Sequence, residues 1–184
     1  ADAFIIWAPI FLGELLMMLY VTNLSGGAAV GRAAAPGWCA AILSQIAWCA
    51  TFRPTVCGPK LLWLPSLLLG TTGVLLGVAH RSIRNWGYTP LGNLLVRVPI
   101  TLHFGWITAA ALVNLNNWLA RDPAVLVNLT NWLARKGASK ATPLEAKELA
   151  AHGSVLGAVA TATYVSATTG DPIFAGVIAW ALGW

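Results

Sequence analysis

Leu61 to Ala79 carries no formal charge and is long enough, as a helix, to cross the hydrocarbon core of a bilayer. Such a segment has to satisfy its backbone polar groups internally, so an α-helix is the expected form. His80, Arg81 and Arg84 come immediately after it and end the span at an interface. Gly70, Gly73 and Gly77 are three and four apart, so they share one face along which a neighbouring helix can approach closely.

The rest of the chain agrees with this class. Of its 184 residues 58% are hydrophobic and 9% charged, whereas a soluble domain averages about a quarter charged. The net charge of +5 resides mostly in the connections between apolar runs and reads as headgroup contact; no basic stripe interleaved with aromatics exists to track a nucleic acid. Cys39, Cys49 and Cys57 have spacings that match no zinc or redox motif and read as small packing residues. Ala rather than Met at position 1 points to a removed targeting segment or a missing N-terminus, which would suit an organelle membrane such as the thylakoid or mitochondrial one.

Five further segments are expected. Ala3 to Leu24 is the first span, with Glu14 in its middle. Gly26, Gly27, Pro36 and Gly37 break the chain after it, leaving a short second segment from Trp38 to Phe52 that needs a thin bilayer or protein neighbours. Leu94 to Leu119 supplies the fourth span. Residues 121–148 form a polar connection that contains a short interfacial helix, Pro123 to Leu133, and an echo of VNLNNWLAR in VNLTNWLAR. Thr142, Pro143 and Glu145 open a fifth helix reaching Ala167, and Asp171 with Pro172 repeats the start signal for a last run cut short at Trp184. The expected architecture is an all-α, polytopic helical membrane bundle of five full spans plus a partial sixth, forming a single transmembrane domain over 1–184. Most Lys and Arg gather on the side of the 121–148 connection, which places that side on the non-translocated face.

Two stretches carry a family likeness. AFIIWAPIFLGELLMMLY at 3–20 and RVPITLHFGWITAAALVNLNNW at 97–118 resemble two signatures of the tryptophan-rich sensory protein family, also called the translocator family, in a longer and divergent branch. The resemblance implies a commonly dimeric helical bundle with a pocket for porphyrins or related hydrophobic ligands. It assigns Trp7, Pro9 and Phe11, followed by Glu14, to the first signature, and Pro99, His103, Trp106, Ala110 and Asn114 to the second.

The residues themselves leave alternatives open. His103 and Trp106 share a helical face, where an imidazole can ligate the metal of a haem or chlorophyll and an indole can stack on the macrocycle; equally, the pair can bond and pack within the core. Asn114 and Asn117 extend this stripe and can fasten helices. A carboxylate in hydrocarbon must be neutralised or paired, so Glu14 is expected to meet Arg97, a ligand or a proton path. Gln45 and His152 are weaker candidates of the same kind. Trp63, Trp86, Trp118 and Trp132 fall near segment ends as anchors, while Trp7, Trp48, Trp106 and Trp180 lie inside spans where they can reach a ligand.

No HExxH, phosphate-binding glycine loop, nucleophile triad or metal-ligand spacing is present, so an enzyme is not expected. The leading expectation is a protein that binds a tetrapyrrole or lipid without catalysis, through Trp7, Glu14, His103, Trp106 and Asn114 and with no metal site of its own. The alternative is an accessory subunit of a larger, photosynthetic membrane complex, contacting chlorophyll or carotenoid as a plastid photosystem subunit would. Its expected partners are membrane lipids and either other membrane subunits or a second copy.

Overall fold

The computed structural model describes residues 2–23, 27–51, 53, 56, 58, 61–87, 89–121, 123–133 and 143–183. A 3-10 turn, Asp2–Ile6, leads into α1, Trp7–Asn23. Then come α2, Ala28–Thr51, and α3, Trp63–Ile83. A single turn, α4, Pro90–Gly92, is capped by the Thr89 hydroxyl, which accepts from the Gly92 N–H; a π-helical turn, Asn93–Arg97, continues without a break into α5, Val98–Arg121. The C-terminal part holds α6, Pro123–Leu133, α7, Pro143–Thr169, and α8, Pro172–Leu182. The fold is an all-α membrane bundle in which, among the described residues, four helical stretches, Phe4–Asn23, Ala28–Thr51, Trp63–Ile83 and Pro90–Arg121, are long and apolar enough to cross.

Two expectations about boundaries are corrected. The second span begins at Ala28 and not at Trp38, because Pro36 and Gly37 lie inside the helix. Proline removes one backbone bond, but in hydrocarbon the alternative is to expose several backbone groups with no water to meet them, so the helix runs on. At Gly37 α2 approaches the backbone of α3 closely: a Cβ there would sit 2.8 Å from the Ala79 backbone nitrogen and 3.0 Å from the Leu75 carbonyl oxygen. The fourth span starts at Pro90, earlier than Leu94. Its π turn precedes Pro99, which has no N–H for Leu95; the Val98 N–H donates to the Asn93 carbonyl, and the extra residue absorbs the mismatch.

The sixth element is also as short as its apolar run suggested, since α8 has 11 residues. The 27-residue α7 is long but less apolar, and falls outside the four crossing stretches. Thr142, the expected cap of α7, and most of the Arg53 to Lys60 connection lie outside the described residues.

Helix α5 is the centre of the bundle, touching α1, α3, α6, α7 and α8. Pro99 lies against Gly13, His103 against Glu14 and Trp106 against Trp7, so α1 and α5 run antiparallel. The glycine stripe of α3 divides. Cβ atoms at Gly77 and Gly73 would meet Phe104 and Ile107 of α5, whereas Gly70 faces open space. Outward faces are apolar; on α1 the residues Phe11, Leu12, Leu15 and Leu19 are each at least half exposed, as lipid contact requires. Cys39 and Cys49 are likewise exposed on α2 and do not pack in the core.

Candidate functional site: two buried polar clusters and an aromatic cavity

The inner face of α5 carries two polar clusters. In the first, His103 is fully buried and uses both ring nitrogens: Nδ1 lies 2.7 Å from Glu14 Oε1 on α1, and Nε2 lies 2.7 Å from Gln45 Oε1 on α2. The Trp38 indole N–H donates to the same Glu14 oxygen at 2.8 Å. Both ring nitrogens of the imidazole are thereby engaged, one on each side, by helices α1 and α2. Trp38 and Gln45 are seven apart, two helical turns, which is why one stripe of α2 presents both.

The second cluster sits nearer the N-terminal end of α5. Asp171, only 1% exposed, receives Arg97 Nε at 3.1 Å, the Thr101 hydroxyl at 2.8 Å and His80 Nε2 at 3.4 Å on one oxygen. Its other oxygen caps α8 by accepting from the Ile173 N–H at 3.0 Å. Arg97 Nη2 also donates to the Thr169 carbonyl, and the Ser166 hydroxyl to the Asp171 carbonyl. Burial pushes the Asp171 carboxyl up, but the hydrogen bonds from His80, Thr101 and Ile173, with the Arg97 charge, outweigh it and hold the group well below the usual carboxylate range. Gly170, with φ of 64°, makes the tight turn that delivers Asp171 to this position.

These pairings correct the expected Glu14 to Arg97 pair: Arg97 meets Asp171, and Glu14 meets His103. Asp171 is legible in the sequence only as a helix start and His80 only as an end marker. The i, i+4 spacing of Arg97 and Thr101 is the available sign that α5 prepares a site for an acid.

A cavity of about 500 Å³ lies one layer away from the His103 cluster, bounded by α1, α2, α3, α5, α7 and α8. Phe4, Trp7, Trp48 and Trp106 contribute aromatic rings to its wall, with Leu69, Ile107 and Ala110 among the aliphatic residues; Asn114, Asn116, Asn117 and Ser154 are its polar lining. Trp7 separates cavity and cluster. It packs edge-on to His103 at 5.7 Å and to Trp106 at 6.2 Å, and stacks on Phe11 at 5.0 Å. The Trp106 indole N–H is buried and finds no hydrogen-bond acceptor among the described residues.

The expected site residues therefore fall into two groups. Trp7, Trp106 and Asn114 line the cavity, whereas Glu14 and His103 do not. Because both His103 nitrogens are engaged and the ring is sealed from the cavity, axial ligation of a haem or chlorophyll by His103 does not fit this geometry. Asn114 bonds within its own helix, Nδ2 donating to the Ala110 carbonyl at 3.0 Å; helices are joined there by Ser66, whose hydroxyl donates to the Asn114 carbonyl, and by Ser154, whose hydroxyl donates to Asn116 Oδ1 at 2.9 Å. Trp48 joins the cavity wall as an intraspan tryptophan, but Trp180 is 44% exposed and lies outside it. His152 is exposed and bonds to the Glu148 carbonyl of its own helix.

Compared with known proteins, the chain matches the sequence model of one family, described as TSPO-like protein, over residues 1–122. Neither a curated protein nor a solved structure matches it.

Proposed function

Since the chain belongs to the family of TSPO-like proteins, we propose that it is a membrane receptor that holds a flat hydrophobic ligand in the aromatic cavity without transforming it. The observation that carries this reading is the cavity itself: four aromatic rings line a volume within the range of small-molecule sites. A tetrapyrrole is the favoured ligand class, because a planar macrocycle offers a face for Trp7, Trp48 and Trp106. It would be held by stacking and hydrogen bonds, since the buried, doubly bonded His103 supplies no metal ligand. A lipid chain is the second class, favoured by the apolar walls alone.

The same reading gives α7 the fifth crossing and α8 the partial sixth. Thr161, Thr163, Thr168 and Thr169 return their hydroxyls to the carbonyls of Gly157, Val159, Tyr164 and Val165, which leaves these threonine hydroxyls satisfied in an apolar medium. Lipid covers the exposed apolar face of α1.

The test is a titration of protoporphyrin IX dimethyl ester, a tetrapyrrole without charged side chains, into the protein in lipid nanodiscs, read by quenching of tryptophan fluorescence. Saturable quenching is expected, and Ala110→Trp, which fills the cavity, should abolish it while preserving helicity. Quenching that never saturates, or that survives Ala110→Trp, would overturn the reading.

A further inference from the structure

The family match ends at residue 122, yet the cavity is not closed by the matched segment. Ser154, Val155 and Ala158 of α7 and Ile178, Ala181 and Leu182 of α8 complete its wall. These two helices form a hairpin packed on α5, and Asp171 at its turn is fixed to Arg97, Thr101 and His80. The Gly105 position shows how closely α8 is seated: a Cβ there would lie 2.9 Å from Val177 Cβ.

We infer that the α7–α8 hairpin determines which ligand this cavity selects, and that Ser154 with Asn116 receives a neutral hydrogen-bonding group at one end of an otherwise apolar molecule. The inference rests on the cavity being a ligand site. Its chemistry follows from the lining. The lining combines aromatic rings with amide and hydroxyl groups and holds no charged side chain, so the ligand that matches it is an amphiphile with an uncharged polar end. The Ser154 hydroxyl occupies Asn116 Oδ1, which fixes the amide and leaves the Asn116 N–H groups as donors and the Ser154 oxygen as an acceptor. Asn114 has its amide nitrogen committed to Ala110 and keeps its Oδ1 as a further acceptor. Ala158, 3% exposed, is the small residue that keeps the hairpin side of the cavity open.

Two probes that differ by one hydroxyl separate the alternatives: 1-pyrenebutanol and the hydrocarbon 1-butylpyrene. Each is titrated into the full chain in nanodiscs, with energy transfer from tryptophan to pyrene as the readout and empty nanodiscs correcting for partition into lipid. The expected result is saturable binding of both, with the alcohol favoured by about threefold to tenfold, the range of one hydrogen bond in an apolar setting. Ser154→Ala should remove that preference and leave 1-butylpyrene unchanged, Ser154→Thr should retain it, and Ala158→Phe should weaken both probes. If both probes bind saturably but Ser154→Ala keeps the preference and Ala158→Phe binds as the unmodified chain does, the hairpin inference is overturned while the cavity reading stands. If neither probe saturates, the cavity reading fails and takes the inference with it. Circular dichroism and thermal melting of each variant show that the fold is retained; should Ala158→Phe fail to fold, Ala158→Val serves in its place.

Discussion

Glu14 and His103 meet at 2.7 Å across α1 and α5, and Gln45 of α2 holds the far nitrogen of the same ring at the same distance. Three helices are thereby fixed to one imidazole. Removing one member of a buried charge pair leaves the other unpaired in apolar surroundings, at about 3–5 kcal/mol. Glu14→Ala and His103→Ala should therefore each lower stability by about that much, measured by thermal or detergent unfolding of the purified protein. The double variant should lose less than the sum, because the second substitution removes the group that the first left unpaired. Strict additivity would show that the two side chains do not act as a pair.

Asp171 gives a pH dependence with a definite sign. Its carboxyl is held below its ordinary value of 3.8 by bonds made only in the folded chain, so the stability it contributes is present in full above that value. It is lost as the pH falls from there through the depressed native value. Asp171→Asn should be less stable than the unmodified chain at pH 7, by about 3 kcal/mol, and the gap should stay open on acidification to pH 5 and narrow only below about pH 4. A gap that closed between pH 7 and 5 would show that the Asp171 carboxyl is not held below its ordinary range by the fold. Limited proteolysis is a second readout, since the α7–α8 hairpin should become more susceptible in Asp171→Asn.

The contrast between these clusters shows what the sequence makes legible. Apolar length alone announces Leu61 to Ala79 and the other long helices, because the bilayer leaves the backbone no alternative. That same rule carries α2 through Pro36 and Gly37, which would mark a boundary in water. Asp171 and Pro172 correctly announce the start of α8, but the carboxylate has a second oxygen, and the cap signal says nothing about Arg97. Glu14 is recognisable as a residue in need of a partner; the partner lies 89 positions away, and choosing His103 over Arg97 requires the antiparallel register of α1 and α5. The cavity is half legible. Spacing puts Trp106, Ala110 and Asn114 on one face of α5 together with His103, which stays out of the cavity, and Trp7 is reached through the family resemblance; the contribution of α7 and α8 depends on how a hairpin docks.

Helix proximity makes a further prediction at Gly37. A methyl group there would collide with backbone atoms of Ala79 and Leu75, which cannot rotate away as a side chain can. Gly37→Ala should destabilise the α2 and α3 pair by about 1–3 kcal/mol. Gly70→Ala, placed where a Cβ meets open space, should be neutral or slightly stabilising, since alanine favours the helix. Unfolding of the two variants side by side separates close approach from mere glycine content.

Trp106 allows stability and binding to be pulled apart. Its indole N–H is buried with no acceptor among the described residues, so Trp106→Phe removes a desolvated donor without breaking a hydrogen bond. Leaving such a donor unsatisfied costs about 1–3 kcal/mol, and this gain opposes the loss of ring area, which keeps the ligand-free melting temperature close to that of the unmodified chain. Ligand binding should respond differently. Protoporphyrin IX dimethyl ester would lose part of the indole face that lines the cavity, and its affinity should fall by about twofold to tenfold, the range of an aromatic contact of about 0.5–1.5 kcal/mol. A variant that melts well below the unmodified chain yet binds equally would mean that the Trp106 ring serves only to pack α5 against α1 and α8.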